Sequence, residues 1–321
     1  MSAPTTDWGV VALAMGSPAE PEDVEPFLEA LFADPAIIRA PLGPLRRPLA
    51  RLLAHRRAPH AKQRYGLVGG SPLVPETLKQ VAALAAALEP DGLPVTLAMT
   101  YTQPNAAAAV SWMHKRGVRR LLALPLFPQR SDTTTGAGLR DLRRVAAQGG
   151  LHTREIPPYP RLPGLIEPLA DALRRSVANL ADDGLADRTA VLLTAHGLPE
   201  RNVAAGDPYV DHVLETAGAV REAAGVPCPV HLGFQSRIGP VRWVGPQVED
   251  QVDRLAHAGM RGLVVVPLTF VCEHLETRYD LDLELRARAW AAGITRYHRI
   301  GAIGAHPDFI AGLAAHVRAQ L

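Results

Sequence analysis

Short, almost wholly apolar runs recur along this chain, each bounded by Gly, Pro or polar residues, with longer stretches of helical periodicity between them. The runs at residues 10–15, 95–101, 120–126, 189–195, 229–234, 262–270 and 297–302 predict strands. They are continuous rather than alternating, which is how strands read when helices cover both faces of a sheet. Residues 76–88, 106–115, 162–180 and 246–257 carry apolar positions three and four apart and predict helices. Strands alternating with helices imply an α/β fold built on parallel sheets.

The pattern also repeats. GVRRLLALPL at 117–126 resembles GMRGLVVVPL at 259–268, each passing from a turn into a strand that ends at Pro-Leu. Two similar α/β halves follow, divided near Gly149 and Gly150. Open parallel sheets bind ligands at the carboxyl ends of their strands, so the chemistry is expected there.

Composition narrows the class. The 321 residues are 47% hydrophobic and 21% charged, which excludes a disordered chain. With 34 basic against 32 acidic residues the formal net charge is +2, and no overall field points to nucleic acid. Cys228 and Cys272 are too few for a disulfide framework or a four-thiolate iron–sulfur cluster, and they fit a reducing, cytoplasmic setting. Met1 to Gly9 shows no secretory pattern. The longest apolar stretch, 263–272, is about half a membrane span and contains Pro267.

Polar residues capable of chemistry gather just after the predicted strands. His196, followed by Gly197, closes one of them, where an imidazole can take a proton near neutral pH or bind a metal; a turn histidine satisfied by local bonds is the plain alternative. Glu273, Glu276, Asp280 and Glu284 are spaced by three, four and four, which on an α-helix forms a single acidic stripe next to an apolar one of Leu275, Tyr279 and Leu283. Such a row suits a hydrated divalent cation or travelling protons, and equally a solvated face partnered by Arg278, Arg286 and Arg288. His274 lies inside it. Residues 37–64 mix Leu42, Leu45, Leu49, Leu52 and Leu53 with Arg39, Arg46, Arg47, Arg51, Arg56, Arg57 and Arg64. That basic amphipathic stretch fits a membrane surface, an apolar anionic ligand or an ordinary surface helix. YGLVGGSPL (65–73) carries neither a Walker lysine nor a dinucleotide fingerprint. SDTTTG (131–136) reads as an anion cradle or as helix caps.

Taken together, MGSPAEPEDVEPFLEALFADPAII, YGLVGGSPL, AMTYTQP, PLFPQRSDTTTGA, TAHGLPERNVAAGDPY, FQSRIGPVRWVGP and FVCEHLETRYDLDLE resemble the ferrochelatase family over nearly the whole chain. The resemblance implies two Rossmann-like, chelatase-type domains, 1–150 and 151–304, with a porphyrin cleft between them and a C-terminal segment, 305–321, packing back on the first. It implies insertion of Fe²⁺ into a porphyrin, with porphyrin and ferrous iron as partners and no further cofactor; some members carry an iron–sulfur cluster, for which this chain lacks the cysteines. His196 and Glu276 correspond to the catalytic pair, as proton acceptor or as metal site. Glu273, His274, Asp280 and Glu284 correspond to a proton or metal relay. Met15, Arg39, Arg46, Tyr65, Ser71, Tyr101, Arg130 and Ser131 are the expected porphyrin contacts.

Several positions depart from the family pattern. Glu273 stands for its usual aspartate and Asp280 for its usual glutamate, while Thr100 replaces an arginine that Arg130 is expected to offset in charge. Met15 occupies a place where coproporphyrin-using relatives tend to carry tyrosine, so protoporphyrin IX is the expected substrate. Coproporphyrin III, a cobalt chelatase and a non-catalytic tetrapyrrole carrier are the rivals. A cytoplasmic protein with peripheral membrane contact, as monomer or homodimer, is expected.

Overall fold

The computed structural model describes residues 7–237, 239 and 241–321. The amino-terminal reading above therefore falls largely on residues outside the described ones, as do Ile238 and Pro240 of the FQSRIGP segment. The chain divides into two compact units. One runs to Pro158 and includes Leu313–Leu321; the other is Tyr159–Gly312.

In the first unit the order is β1 (Trp8–Ala14), α1 (Val24–Ala33), α2 (Arg46–Leu67), α3 (Leu73–Leu88), β2 (Val95–Met99), α4 (Ala106–His114), β3 (Arg120–Pro125), α5 (Ala137–Gln148) and β4 (His152–Glu155). In the second it is α6 (Pro163–Leu180), β5 (Thr189–His196), α7 (Glu200–Ala204), α8 (Tyr209–Ala224), β6 (Val230–Gln235), α9 (Val248–His257), β7 (Gly262–Pro267), α10 (Arg286–Ala291), β8 (Arg296–Arg299) and the start of α11 (Pro307–Arg318). The end of α11 counts with the first unit, where Arg318 pairs with Asp91 at 2.8 Å and His316 Nε2 lies 2.9 Å from the Pro157 carbonyl.

Each unit holds a four-stranded parallel sheet, ordered β2-β1-β3-β4 and β6-β5-β7-β8. Val10, Val11, Ala12 and Leu121 to Leu124 are wholly buried in one, and Ala190 to Leu192 with Leu263 to Val266 in the other. Burying each Val or Leu side chain contributes about 1.5–3 kcal/mol. That explains why the runs carry no polar alternation.

The two sheets share their register. Trp8 pairs with Arg120 as Thr189 pairs with Gly262, Val10 with Val95 as Val191 with Val230, and Arg120 with His152 as Gly262 with Arg296. The backbone bonds that close the strand ends repeat as well. Leu126 N donates to Leu13 O and Leu268 N to Thr194 O, each at 2.9 Å. Met99 N donates to Pro104 O at 2.7 Å, and Phe234 N to Pro246 O at 2.8 Å. The internal repeat read at 117–126 and 259–268 thus corresponds to β3 and β7 with the turns that lead into them.

Three expectations need correcting. The division falls after Pro158, not near residue 150, because His152–Glu155 forms β4 and pairs with β3. β4 escaped the apolar-run criterion because it is a polar edge strand, HTRE, with a half-exposed pattern. The last strand stops at Arg299 rather than 302 and is half-exposed, not buried. The acidic segment is not an α-helix. Glu276–Leu285 is π-helical, Glu273 precedes it in non-helical backbone, and the side chains it buries are Thr277, Leu281 and Leu285 rather than Leu275, Tyr279 and Leu283.

Candidate active site

β5 is a central strand with β6 on one side and β7 on the other, so the chain leaves its carboxyl end in one direction and returns past β7 in another. Such a reversal opens a crevice at the strand ends. His196 is the last residue of β5 and Glu276 begins the π-helix after β7, so both stand at that point.

The two side chains meet there. His196 Nδ1 lies 2.8 Å from Glu276 Oε2, with side-chain exposures of 37% and 28%. An ionised carboxylate only accepts, so Nδ1 carries the hydrogen and Nε2 of the neutral ring keeps its lone pair. The backbone around His196 is fixed: its N–H donates to Thr269 Oγ1 at 3.3 Å, and its carbonyl accepts from Tyr209 Oη at 3.0 Å. Gly197 N donates to Gln235 O at 2.7 Å. A Cβ at Gly197 would stand 2.8 Å from that same oxygen and 3.1 Å from the Trp243 ring, which is why glycine follows the histidine.

Burial opposes charge on His196, yet the Coulombic attraction of Glu276 and their hydrogen bond outweigh it and raise the imidazole pKa above 6.5. Burial likewise works against charge on Glu276. His196, His274 and the hydroxyl of Ser236 overcome it and hold the carboxyl far below its usual range.

Ser236 completes the arrangement. Its Oγ donates to Glu276 Oε2 at 2.8 Å and lies 3.3 Å from Asp280 Oδ2. Its φ of 69° is the one left-handed non-glycine value among the described residues, a conformation held here at a cost. Next to His196 in register, Gln235 is buried with its amide hydrogen-bonded to none of the described residues.

The remaining acidic residues separate into different roles. His274 Nδ1 accepts from Glu276 N at 2.9 Å, and its ring packs edge-on against Phe270 with centroids 4.2 Å apart. Burial lowers its pKa, which keeps it a neutral ring with hydrogen on Nε2. Glu273 points elsewhere, onto Arg299 at 2.8 Å. Glu284 is exposed. The structure thus brings His196, His274, Glu276 and Asp280 into one network, with Glu273 on a separate strut and Glu284 at the surface. A spacing of four does not stay on one line in a helix bonded from i to i+5, which disperses the stripe.

The eight expected porphyrin contacts all lie in the first unit, and most hold internal partners. Arg39 pairs with Asp132 at 3.1 Å, and Arg130 bridges Asp132 and Glu155 at 3.4 and 3.2 Å. Arg46 donates to the carbonyls of Ile38 and Ala40. Tyr101 Oη donates to Asp34, which Arg140 grips at 2.8 Å. Tyr65 Oη lies 3.3 Å from Ser17 Oγ. Ser71 Oγ accepts from the N–H of Leu73, the first residue of α3, at 3.3 Å, and Ser131 caps a π-helical turn, Asp132–Gly136, through Thr133 N. Met15 follows β1 and is half-buried.

Sequence reasoning missed Ser236, Tyr209, Thr269, Arg299 and Asp282 as parts of this site. Ser236 lay within the segment singled out after β6 and carried a usable signal, a hydroxyl at a strand end. Tyr209 closes the quoted segment that begins at Thr194 but no role was read for it, and Arg299 gave no signal, since it reaches the site through folding of distant chain.

Two parallel sheets of equivalent order, with a titratable pair at one switch point, define a two-unit α/β protein with its chemistry at the strand ends. The fold is shared with the sirohydrochlorin chelatase SirB from Bacillus subtilis subspecies spizizenii in complex with cobalt, at a TM-score of 0.51 and 12% identity over 97% of this chain and 94% of that one. SirB from Bacillus subtilis with Fe³⁺ gives 0.55 at 14% identity, over 97% and 94%. A ferrochelatase family model matches residues 7–321. A ferrochelatase from Cyanothece sp. is 38% identical over 314 residues, covering 95% of this chain and 80% of the relative. The chain belongs to the ferrochelatase family.

Proposed function

We propose that this protein inserts Fe²⁺ into protoporphyrin IX, releasing two protons and forming haem, and that His196 accepts the pyrrole protons. The observation that carries the assignment is the 2.8 Å contact between His196 Nδ1 and Glu276 Oε2. It fixes the tautomer, leaves the Nε2 lone pair for a substrate N–H, and stabilises the imidazolium once the proton has moved. Glu276 orients the ring and is ionised except while a proton passes through it. Ser236 holds Glu276 from its other side, and Asp280 lies one hydroxyl further on, which supports a route for protons away from the ring.

Family membership supports a porphyrin and ferrous iron as the substrates. Met15 supports protoporphyrin over coproporphyrin: an apolar thioether at the end of β1 offers no hydrogen bond to an additional propionate. An anaerobic assay with Fe²⁺ and each porphyrin, followed by absorbance, tests activity and preference together. Haem from protoporphyrin IX is the expected product. Porphyrin binding with no metal insertion would leave a carrier, and Co²⁺ insertion into sirohydrochlorin alone would leave a cobalt chelatase.

A cytoplasmic protein touching an anionic membrane surface is the setting we favour. Around α2, Arg47, Arg51, Arg56 and Arg57 are exposed together with Leu45 and Leu52, a mixture that draws a helix to acidic lipid. Among the described residues no helix is long and apolar enough to cross a membrane.

A further inference from the structure

Arg299 closes β8, far in sequence from Glu276, and its side chain is only 7% exposed. One terminal nitrogen donates to Glu273 Oε1 at 2.8 Å, while Nε and the other terminal nitrogen donate to the two carboxylate oxygens of Asp282, each at 2.7 Å. Glu273 is engaged on both oxygens. Oε1 also accepts from Ala302 N at 2.9 Å; Oε2 accepts from Thr277 Oγ1 at 2.7 Å and lies 3.5 Å from Arg278 Nε. A carboxylate so held is poorly suited to picking up and passing on protons or a metal ion. Glu273 precedes the π-helix and Asp282 lies in its second half, so a single guanidinium ties the segment on both sides of Glu276.

The first unit has the same tie with its charges reversed. Glu155 pairs with Ala123 of β3 as Arg299 pairs with Val265 of β7. Glu155 accepts from Arg130, in the segment after β3 and just before the π-helical turn. What recurs at this place is the link from the last strand to the segment after the third, not a carboxylate at a given position.

We infer that Arg299 is a positioning residue of the reaction: by clamping Glu273 and Asp282 it holds the π-helix where Glu276 meets His196, and Glu273 serves as its anchor rather than as a relay. The inference rests on the ferrochelatase reading for its kinetic consequence and on geometry alone for its structural one. Removing the guanidinium would take from Asp282 and Glu273 the one cation they share, leaving Glu273 only the longer 3.5 Å contact with the half-exposed Arg278.

The test compares Arg299→Met, Arg299→Lys, Glu273→Gln and Asp282→Asn in the intact protein. It measures kcat and KM for porphyrin and the downfield Nδ1 proton resonance of His196. Arg299→Met is expected to lose the resonance and about 10- to 100-fold in kcat, the range for groups that orient a reacting residue, with KM changed less than about twofold. Arg299→Lys should restore part of both. Glu273→Gln, whose amide still accepts from Ala302 and Arg299, should lose less than about fivefold and keep the resonance. Should Arg299→Met fail to fold, Asp282→Asn takes its place, with kcat falling and KM intact. The inference is overturned if Arg299→Met, or its replacement, keeps resonance and kcat near wild type, or if Glu273→Gln is the more damaged. A wild-type protein that makes no haem would defeat the functional reading, and the resonance alone would then decide the clamp.

Discussion

Ser236 Oγ stands 2.8 Å from Glu276 Oε2 on a backbone whose φ is 69°. A left-handed serine costs about 1–2 kcal/mol relative to its ordinary conformations. Here that conformation aims the hydroxyl at the carboxylate. Ser236→Ala and Ser236→Gly both remove the hydroxyl, but only glycine relieves the backbone. The glycine variant is expected to be the more stable of the two by about 1 kcal/mol in denaturant unfolding, with haem formation slowed to the same degree in both. Equal stability would mean that the backbone is unstrained; normal turnover in either would detach the hydroxyl from the reaction.

His196→Ala is expected to leave a folded protein that binds porphyrin and to cut iron insertion by roughly 10²–10⁴-fold, the contribution of a positioned general base. Circular dichroism and porphyrin fluorescence titration check the first part, and the anaerobic assay the second. Near-normal turnover would remove His196 from the proton step.

The pair also predicts a pH dependence. His196 must be neutral to accept a proton, and its pKa is raised above 6.5, so the acid limb of kcat/KM should lie above that of free imidazole. Glu276→Gln removes the attraction and leaves the burial, which moves the limb to lower pH. Stability follows the same shifts with opposite signs. The depressed Glu276 stabilises above 4.5, and its contribution fades as pH falls through its folded pKa. The raised His196 stabilises below 6.5, and its contribution fades as pH climbs through its own. Between these values the pair contributes fully, and wild type minus Glu276→Gln stability, measured across pH, should peak there.

Gly197→Ala should destabilise the protein by about 1–3 kcal/mol, since the new methyl group meets a carbonyl of the neighbouring strand at 2.8 Å and a backbone cannot rotate away. Activity should drop further than stability does, because the displaced strand end carries His196. A melting temperature within a degree of wild type would refute this.

Asp280→Asn is expected to slow turnover with little loss of porphyrin affinity, whereas Glu284→Gln should be silent within about twofold, as surface substitutions usually are. Equal effects would restore the acidic row as a unit.

The inner strands were legible in sequence because burial on both faces leaves an unbroken apolar run, as in Leu121 to Leu124. β4 was not, since an edge strand of four residues reads His-Thr-Arg-Glu and is indistinguishable from a loop. His196 and Glu276 were legible as a pair through the resemblance, but the acidic spacing suggested a helix of ordinary pitch. No local pattern distinguishes a run bonded from i to i+5, and only there do Asp280 and Glu284 part company. Arg130 and Arg39 read as cations for propionates, and no local pattern signalled that Asp132 and Glu155, distant in sequence from one or both, would pair with them.

The matched registers carry one more implication. Counting along β1 and β5, Met15-Gly16-Ser17-Pro18 occupies the station held by His196-Gly197-Leu198-Pro199. A duplicated scaffold thus offers twin seats, one given to a basic ring and the other to a greasy thioether that cannot ionise. On the proposed function the His196 seat is tied to proton chemistry and the Met15 seat is not, so engineering of porphyrin preference should begin at Met15.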